Sequence, residues 1–281
     1  MEPAKRIVII GGGKMGEAIL SGWIASDAAP ADTIEAKDIV VVTPGIDRRD
    51  FLEGMYAVAC VGSPSEVTVR PDLVVLAVKP QVMMQVIAEL SQEELFCDGE
   101  QPALFISIAA GLETARLVHV LPEGSSLVRV MPNMPLMVGA GASCVCASAA
   151  STAEQVEYVA ALFGCLGRAL VVDEGDMDAV CAVSGSGPAY VAAMVESLRD
   201  AAADAGLDRQ VAEDLALQTV LGTAQLIMET GMTPEAARES ICSPGGTTLA
   251  ALDAMNAAGF DKVFRAGVEA AVRRSKELAQ L

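Results

Sequence analysis

The sequence predicts an α/β protein in which a doubly wound parallel sheet is followed by an all-α part. Short β-branched or apolar runs alternate with helical patterns up to residue 172. A glycine-rich turn joins the first of these runs to the first helix. Beyond residue 174 only helical periodicity is found. We therefore predict two domains, 1–174 and 175–281, in the chain of 281 residues.

The composition argues against several classes of binding partner. The net charge of −18 argues against the basic surface that a nucleic-acid-binding protein needs. The sequence has no uninterrupted run of about 20 apolar residues, so no membrane span is predicted. Seven cysteines, an odd number without any CxxC pair, predict reduced thiols and no zinc site. With only one histidine, His119, we expect no metal, and an opening without a signal-peptide pattern predicts a cytoplasmic protein.

The first strand, residues 6–11, runs directly into a G-x-G-x-x-G turn that opens a helix. Gly11 would make the turn, Gly13 would let a pyrophosphate approach the backbone, and Gly16 would allow close helix–strand packing. This context predicts a Rossmann-like domain that binds a dinucleotide. The candidate cofactor-binding residues here are Gly11, Gly13, Lys14, Met15 and Gly16.

The second strand, residues 38–43, ends in a sequence that bears on the choice of cofactor. An NAD enzyme tends to have an acidic residue at this strand end, whereas this chain has Thr43 followed by Arg48 and Arg49. A hydroxyl group and two guanidinium groups suit a 2′-phosphate, so we predict NADP, with NAD as the alternative. Asp47 could simply cap the next helix, in which case this segment is a solvated helix start.

Six further strands are predicted, at Tyr56–Cys60, Leu73–Val78, Leu104–Ile108, Ser126–Val130, Ser143–Ala147 and Arg168–Val172. In a doubly wound sheet, ligands lie outside the carboxyl ends of the strands. The residues at these ends that would border the cofactor are Ala77, Val78, Lys79, Pro80 and Asn133. The amide of Asn133 can donate and accept, which suits a nicotinamide or a substrate, but Asn is also a common turn residue.

The second part of the chain is predicted to contain helices at Asp178–Ser184, Pro188–Ala205, Arg209–Glu229, Pro234–Ile241 and Phe260–Leu278. The broadly apolar helix Arg209–Glu229 is predicted to be central. With so few aromatic residues, these apolar helices lack partners within one chain, which predicts homodimerisation through them. A helical bundle that is complete within one chain is the alternative.

The segment Ser243–Thr248 contains two glycines followed by two hydroxyl residues, and the helical pattern LAALDAM comes next. A glycine turn before a helix N-terminus suits a small carboxylate, because the first N–H groups of a helix are free. An ordinary helix cap is the alternative. One histidine and no Tyr-x-x-x-Lys pair leave few proton donors, which favours a protonated imine over a carbonyl as the hydride acceptor.

Six sequence blocks occur in order: GGGKMGEAI, LAVKP, SIAAG, RVMPN-x-P, VSGSGPAY and SPGGTT. Together they resemble the pyrroline-5-carboxylate reductases over essentially the whole chain. The resemblance implies reduction of L-1-pyrroline-5-carboxylate to L-proline with NADPH or NADH, by a dimer that can assemble into a decamer. Met134 departs from the family, which usually has a small hydroxyl residue there.

The resemblance also implies roles for individual residues. The amides of Gly245, Gly246 and Thr247 would bind the substrate carboxylate, Ser243 would shape the loop, and the catalytic Thr248 would hydrogen-bond the ring nitrogen. The nicotinamide would lie between Ala77–Lys79, Met131–Asn133 and the substrate loop. The junction between the two domains would be lined by Ser184, Gly185 and Ser186, and two chains would contribute to one site. The alternatives are a related imine or β-hydroxyacid reductase, or an NADP-binding sensor without activity.

Overall fold

A computed structural model describes residues 4–97 and 102–278, so the expectation about the opening of the chain lies partly outside them. The chain divides into two compact units: Met1–Ser186 with Ala271–Leu281, and Gly187–Ala270. We call them the sheet unit and the helical unit. Residues 175–186 and the end of the last helix pack with the sheet unit, where Ser275 Oγ donates to Asp178 at 2.6 Å. The domain boundary near Glu174 stays a prediction.

The sheet has eight strands in the order β3-β2-β1-β4-β5-β6-β7-β8. All neighbours are parallel except β6 and β7, so β7 and β8 run opposite to the first six strands. This is the predicted doubly wound architecture. The strands are β1 Ile7–Ile10, β2 Ile39–Val42, β3 Ala59–Val61, β4 Leu73–Leu76, β5 Leu104–Ser107, β6 Ser126–Met131, β7 Gly141–Ala147 and β8 Gly167–Val171.

Helices cover both faces of this sheet, and each face has its own apolar core. Side chains of a strand alternate between faces, so Ile7 and Ile9 pack in one core while Val8 and Ile10 pack in the other. The helices are α1 Lys14–Ile24, α2 Ile46–Tyr56, α3 Pro80–Leu90, α4 Glu94–Cys97, α5 Thr114–Val118, α6 Ala153–Gly164 and α7 Met177–Val180, followed by a π turn at Cys181–Gly185.

Two predicted elements of the sheet unit have different bounds in the structure. Tyr56 was expected to open the third strand, but it is the last residue of α2, and the strand begins at Ala59. Ala57 ends that helix in the left-handed region with φ of 55°, although glycine is the usual residue there. The pattern LETARLVHVL predicts a helix over residues 112–121, whereas α5 covers only Thr114–Val118, so the expected continuation to residue 121 is wrong.

The helical unit contains α8 Gly187–Asp204, α9 Arg209–Thr230, α10 Pro234–Ile241, α11 Thr247–Ala257 and most of α12 Phe260–Leu278. Local caps start two of these helices. The Asp208 carboxylate accepts from the Gln210 and Val211 amides, and the Thr233 hydroxyl accepts from the Ala236 amide.

Burial in the helical unit is sparse. Only Ala212, Ala216 and Ala237 are buried there. The predicted central position of α9 is therefore wrong within one chain, where Leu215, Leu217, Leu221, Leu226 and Met228 are exposed. Among the described residues, no helix combines the length and the apolar character that crossing a membrane requires.

Candidate active site

The glycine turn between β1 and α1 has the geometry that the sequence pattern predicts. Gly11 has φ of +113°, and a Cβ there would lie 2.5 Å from the Ala77 carbonyl oxygen. A Cβ on Gly16 would lie 2.0 Å from the Gly11 carbonyl oxygen, so only glycine fits. A Cβ on Gly13 would meet no atom within 4 Å. Gly13 is thus the point of the turn where a ligand can approach the backbone.

Helix α1 presents free amides beside this open point. Its first internal hydrogen bond runs from the Glu17 amide to the Gly13 carbonyl at 2.9 Å. The amides of Lys14, Met15 and Gly16 therefore have no partner within the helix, and no side chain caps Gly13. Free amides at the positive end of a helix dipole fit a pyrophosphate. These residues are suited to hold a dinucleotide.

Arg49 lies in the first turn of α2, and its side chain reaches back to the carboxyl end of β2. Its Nη1 donates to the carbonyls of Thr43 at 2.9 Å and Pro44 at 2.8 Å. Thr43 is buried, and its methyl group lies against the position where Gly12 would carry a Cβ. The expected contact of Thr43 and Arg49 with a 2′-phosphate stays a prediction, and the structure shows that backbone carbonyls orient Arg49.

Arg48 makes different contacts. Its Nε donates to the Gly12 carbonyl at 2.5 Å, its Nη2 forms an ion pair with Glu17, and its guanidinium lies 5.1 Å from the ring centre of Phe51. Tyr56 donates its hydroxyl to the same Glu17 carboxylate at 2.8 Å. Burial opposes ionisation of Glu17, but the hydrogen bonds from Arg48 and Tyr56 outweigh it and lower the pKa of Glu17. Sequence reasoning missed Glu17 and Tyr56.

The segment after β4 lies against the glycine turn. The Ala77 amide donates to the Ile10 carbonyl at 2.8 Å, and the Val78 side chain lies near Gly11. Lys79 precedes α3, and Pro80 is the first residue of that helix. The structure therefore brings this segment together with the glycine turn at one edge of the sheet.

Asn133 is buried, and both polar groups of its amide are used within the sheet unit. Its Nδ2 donates to the Ser184 carbonyl at 3.0 Å, and its Oδ1 accepts from the Ala142 amide at 2.8 Å. The amide that was expected to serve a nicotinamide thus joins the end of β6 to the start of β7 and to the π turn. Contact of Asn133 with the cofactor stays a prediction.

A further polar cluster was not apparent in the sequence. Glu174 accepts hydrogen bonds from the amide and hydroxyl of Thr114, both at 2.7 Å, and from Arg129 Nη1 at 3.0 Å. The Arg129 side chain is only 4% exposed, so its charge depends on this carboxylate. Glu174 also satisfies the start of α5 from 60 positions along the chain.

In the helical unit, Ser243–Gly246 forms a tight turn before α11. The Gly246 amide donates to the Ser243 carbonyl at 3.0 Å, and Gly245 has φ of +70°. Pro244 at the second position and glycine at the third are typical of a type II turn. A Cβ on Gly246 would lie 2.5 Å from Ser243 Oγ and 3.1 Å from the Ser243 carbonyl oxygen, so a larger residue there would force the Ser243 side chain to move.

Helix α11 then begins with free amides. Its Ala250 amide donates to the Gly246 carbonyl at 3.4 Å, and no side chain caps Gly246. The amides of Thr247 and Thr248 therefore have no partner within the helix. Thr248 is half-buried. Of the three amides expected to bind a carboxylate, that of Gly246 is used in the turn, and the roles of Gly245 and Thr247 stay predictions.

Comparisons with known proteins agree with both units. Residues 174–278 match a family model described as pyrroline-5-carboxylate reductase dimerisation. Residues 6–111 match one described as NADP oxidoreductase coenzyme F420-dependent. The pyrroline-5-carboxylate reductase of Synechocystis sp. is 42% identical over 272 residues, which cover 97% of each chain. The chain belongs to the pyrroline-5-carboxylate reductase family.

Other members of the pyrroline-5-carboxylate reductase family support the assignment. The Escherichia coli enzyme is 35% identical, over 98% of this chain and 99% of its own. A solved pyrroline-5-carboxylate reductase from Coxiella burnetii has a TM-score of 0.87 at 33% identity and covers 99% of both chains. The pyrroline carboxylate reductase of Plasmodium falciparum, solved with NADP bound, has a TM-score of 0.84 at 28% identity. The resemblance read from the six blocks is thereby confirmed.

Proposed function

We propose that the protein reduces L-1-pyrroline-5-carboxylate to L-proline, the final step of proline synthesis, as an oxidoreductase acting on CH–NH groups. The observation that carries the proposal is 42% identity to a named pyrroline-5-carboxylate reductase over 97% of the chain. When bound, NAD(P)H supplies the hydride for the C=N bond. The protein supplies binding and orientation.

The start of α11 is the proposed substrate site. The amides of Gly245 and Thr247, together with the free amide of Thr248 and the positive end of the helix dipole, stabilise the substrate carboxylate. The Thr248 hydroxyl hydrogen-bonds the ring nitrogen and orients the imine. Ser243, Gly245 and Gly246 give the turn that exposes these amides.

The cofactor site is proposed at the glycine turn, with NADPH favoured over NADH. Gly13 and the free α1 amides hold the pyrophosphate, and the guanidinium groups after β2 meet the 2′-phosphate. Ala77–Pro80 border the nicotinamide half, because Ala77 and Val78, the first residues of this segment, lie against the glycine turn at the carboxyl edge of the sheet.

A homodimer formed through the helical unit is proposed, with five dimers able to form a decamer. A cavity of about 600 Å³ in this unit is lined mostly by apolar side chains, among them Met194, Leu198, Phe260, Val263 and Phe264. The match to a dimerisation family model covers this region.

A cytoplasmic location is also proposed. All seven cysteines are free, which supports it, because cytosolic proteins keep their thiols reduced.

The substrate assay tests the activity directly. Purified protein should oxidise NADPH only when pyrroline-5-carboxylate is present, and more slowly with NADH at equal concentration. Turnover with a linear keto or hydroxy acid and not with pyrroline-5-carboxylate would identify a β-hydroxyacid reductase instead. Cofactor binding without turnover of either substrate would identify a sensor.

The role of Thr248 has its own test. Thr248→Ala should lower kcat/KM by about 10- to 100-fold, since one hydrogen bond to the reacting group is lost. The Kd for NADPH should stay within twofold, and Thr248→Ser, which keeps the hydroxyl, should recover most of the activity. If Thr248→Ala instead abolishes NADPH binding, the assigned role is wrong.

A further inference from the structure

The two arginines that follow β2 are held by chemically different partners. Arg49 donates to two backbone carbonyls, which orient its guanidinium, and the nearby Glu66 carboxylate acts on its charge only through space. Arg48 forms an ion pair with the Glu17 carboxylate, so much of its charge is neutralised by a partner within the protein. The two arginines look equivalent in the sequence, but their partners in the structure differ.

Glu17 joins α1 to α2 through two contacts. It lies in the first turn of α1, directly after the glycine turn, and its side chain is only 14% exposed. Arg48 reaches it from the first turn of α2, and Tyr56 reaches it from the last residue of α2. Arg48 also donates to the Gly12 carbonyl. The Glu17 carboxylate and the Arg48 contact with Gly12 thus both hold α2 against the glycine turn.

Another carboxylate, Glu66, bears on the charge of Arg49. The Glu66 side chain accepts from the Gly62 amide at 3.3 Å and from the Ser63 hydroxyl at 3.0 Å, within its own loop. These hydrogen bonds lower the pKa of Glu66, and the charge of Arg49 adds a smaller effect. The Glu66 carboxylate is therefore occupied by hydrogen bonds within its own loop, whereas the Glu17 carboxylate is occupied by its ion pair with Arg48.

We propose that Glu17 is a positioning residue that sets the degree of NADPH preference. Glu17 neutralises Arg48 and holds it on the Gly12 carbonyl, where Arg48 supports the glycine turn for either cofactor. Arg49 is then the residue that discriminates the 2′-phosphate from a 2′-hydroxyl. This proposal rests on the proposed preference for NADPH and assigns it to one of two adjacent arginines.

The test measures Kd for NADPH and NADH by isothermal titration calorimetry on full-length protein. Arg49→Gln should weaken NADPH about 10- to 100-fold, the loss of one charge-assisted contact, and change NADH less than twofold. Arg48→Gln should weaken both cofactors by a similar factor of about two to five. Glu17→Gln keeps the shape and removes the charge, so NADPH should bind about two- to fivefold more tightly while NADH is unchanged.

Asp50→Asn is the matched control for Glu17→Gln, because it removes one carboxylate charge from an exposed side chain of α2. It should shift the NADPH-to-NADH ratio less than Glu17→Gln does. An equal shift in both variants, or a selective loss of NADPH in Arg48→Gln and not in Arg49→Gln, overturns the inference.

The fluorescence of buried Trp23 reports whether each variant keeps its fold. Failure of the proposed function looks different from failure of the inference. It would appear as wild-type protein that does not turn over pyrroline-5-carboxylate, or that binds NADH at least as tightly as NADPH.

Discussion

Replacing Gly16 by alanine tests the close packing at the glycine turn. Gly16 lies within the first turn of α1, and helix propensity alone predicts that alanine there should stabilise the protein by about 1 kcal/mol. The structure predicts the opposite, because the new Cβ would lie 2.0 Å from the Gly11 carbonyl oxygen. The two arguments differ in sign, so the experiment decides between them.

The magnitude follows from the atom that would have to move. A carbon and a carbonyl oxygen need more than 3.0 Å, so the backbone at Gly11 must shift by about 1 Å. That backbone is fixed, since the Gly11 amide donates to the Val42 carbonyl at 2.9 Å and Gly11 packs on Ala77. Overpacking against rigid neighbours costs about 1–3 kcal/mol, and we expect the upper end of this range.

Urea denaturation followed by tryptophan fluorescence is the assay. The chain has one tryptophan, Trp23, which is fully buried in the same helix as Gly16. Its ring packs edge-to-face on Phe163 at 5.8 Å, and its Nε1 donates to the Leu162 carbonyl at 3.1 Å. The fluorescence therefore follows unfolding of the sheet unit, and the midpoint shift gives the change in free energy.

Gly13→Ala is the matched control. Its Cβ would meet no atom within 4 Å, and its φ of −72° suits alanine, so the unfolding free energy should not fall. NADPH binding should weaken at least tenfold, because the methyl group occupies the point where the pyrophosphate approaches. A Gly16→Ala protein as stable as the wild type, or a Gly13→Ala protein with wild-type NADPH affinity, refutes the reasoning.

Two further predictions concern groups outside the glycine turn. Glu174→Ala leaves Arg129 buried without its carboxylate and should lower the unfolding free energy, measured by urea denaturation, by about 2–4 kcal/mol. The loss should be smaller in the double variant that also carries Arg129→Met, because no buried charge is then left unpaired. An unchanged denaturation midpoint in Glu174→Ala would contradict this. Burial, and then the charge of Glu53, raise the pKa of Cys60 to about 11, so about one thiol in a thousand is ionised at pH 8. Its alkylation rate, followed by mass spectrometry, should rise about tenfold per pH unit up to pH 10, and Glu53→Gln should accelerate it. A plateau near pH 9 would show that the pKa is not raised.

The sequence predicted those features that depend on a few consecutive residues. The sequence motif alone predicts the separate steric roles of Gly11 and Gly16, because a strand, a tight turn and a helix follow one another within 20 residues. The structure has the close contacts that these roles require. The helix start at Pro234 and the glycine turn at Ser243–Gly246 are equally local. Tight turns and helix starts require particular residue types, such as glycine and proline, so they can be predicted from the local sequence.

Features that depend on distant side chains were not predictable. Glu174 meets Thr114 and Arg129 across 60 and 45 positions, and no local pattern distinguishes it from a surface acid. Glu17 is similar, since its partner Arg48 is 31 positions away. The end of α2 was misjudged for another reason, because Ala57 adopts a left-handed conformation that its type does not signal.

The sparse burial of the helical unit has a consequence for how the protein folds. With three alanines as its only buried residues, the helical unit buries little apolar surface to set against a conformational entropy cost of about 1.5 kcal/mol for each ordered residue. In the proposed dimer the missing burial comes from a second chain, so folding of these helices and association become one equilibrium. The stability of the helical unit then depends on protein concentration, and dilution melts it while the sheet unit, with its two complete cores, stays folded.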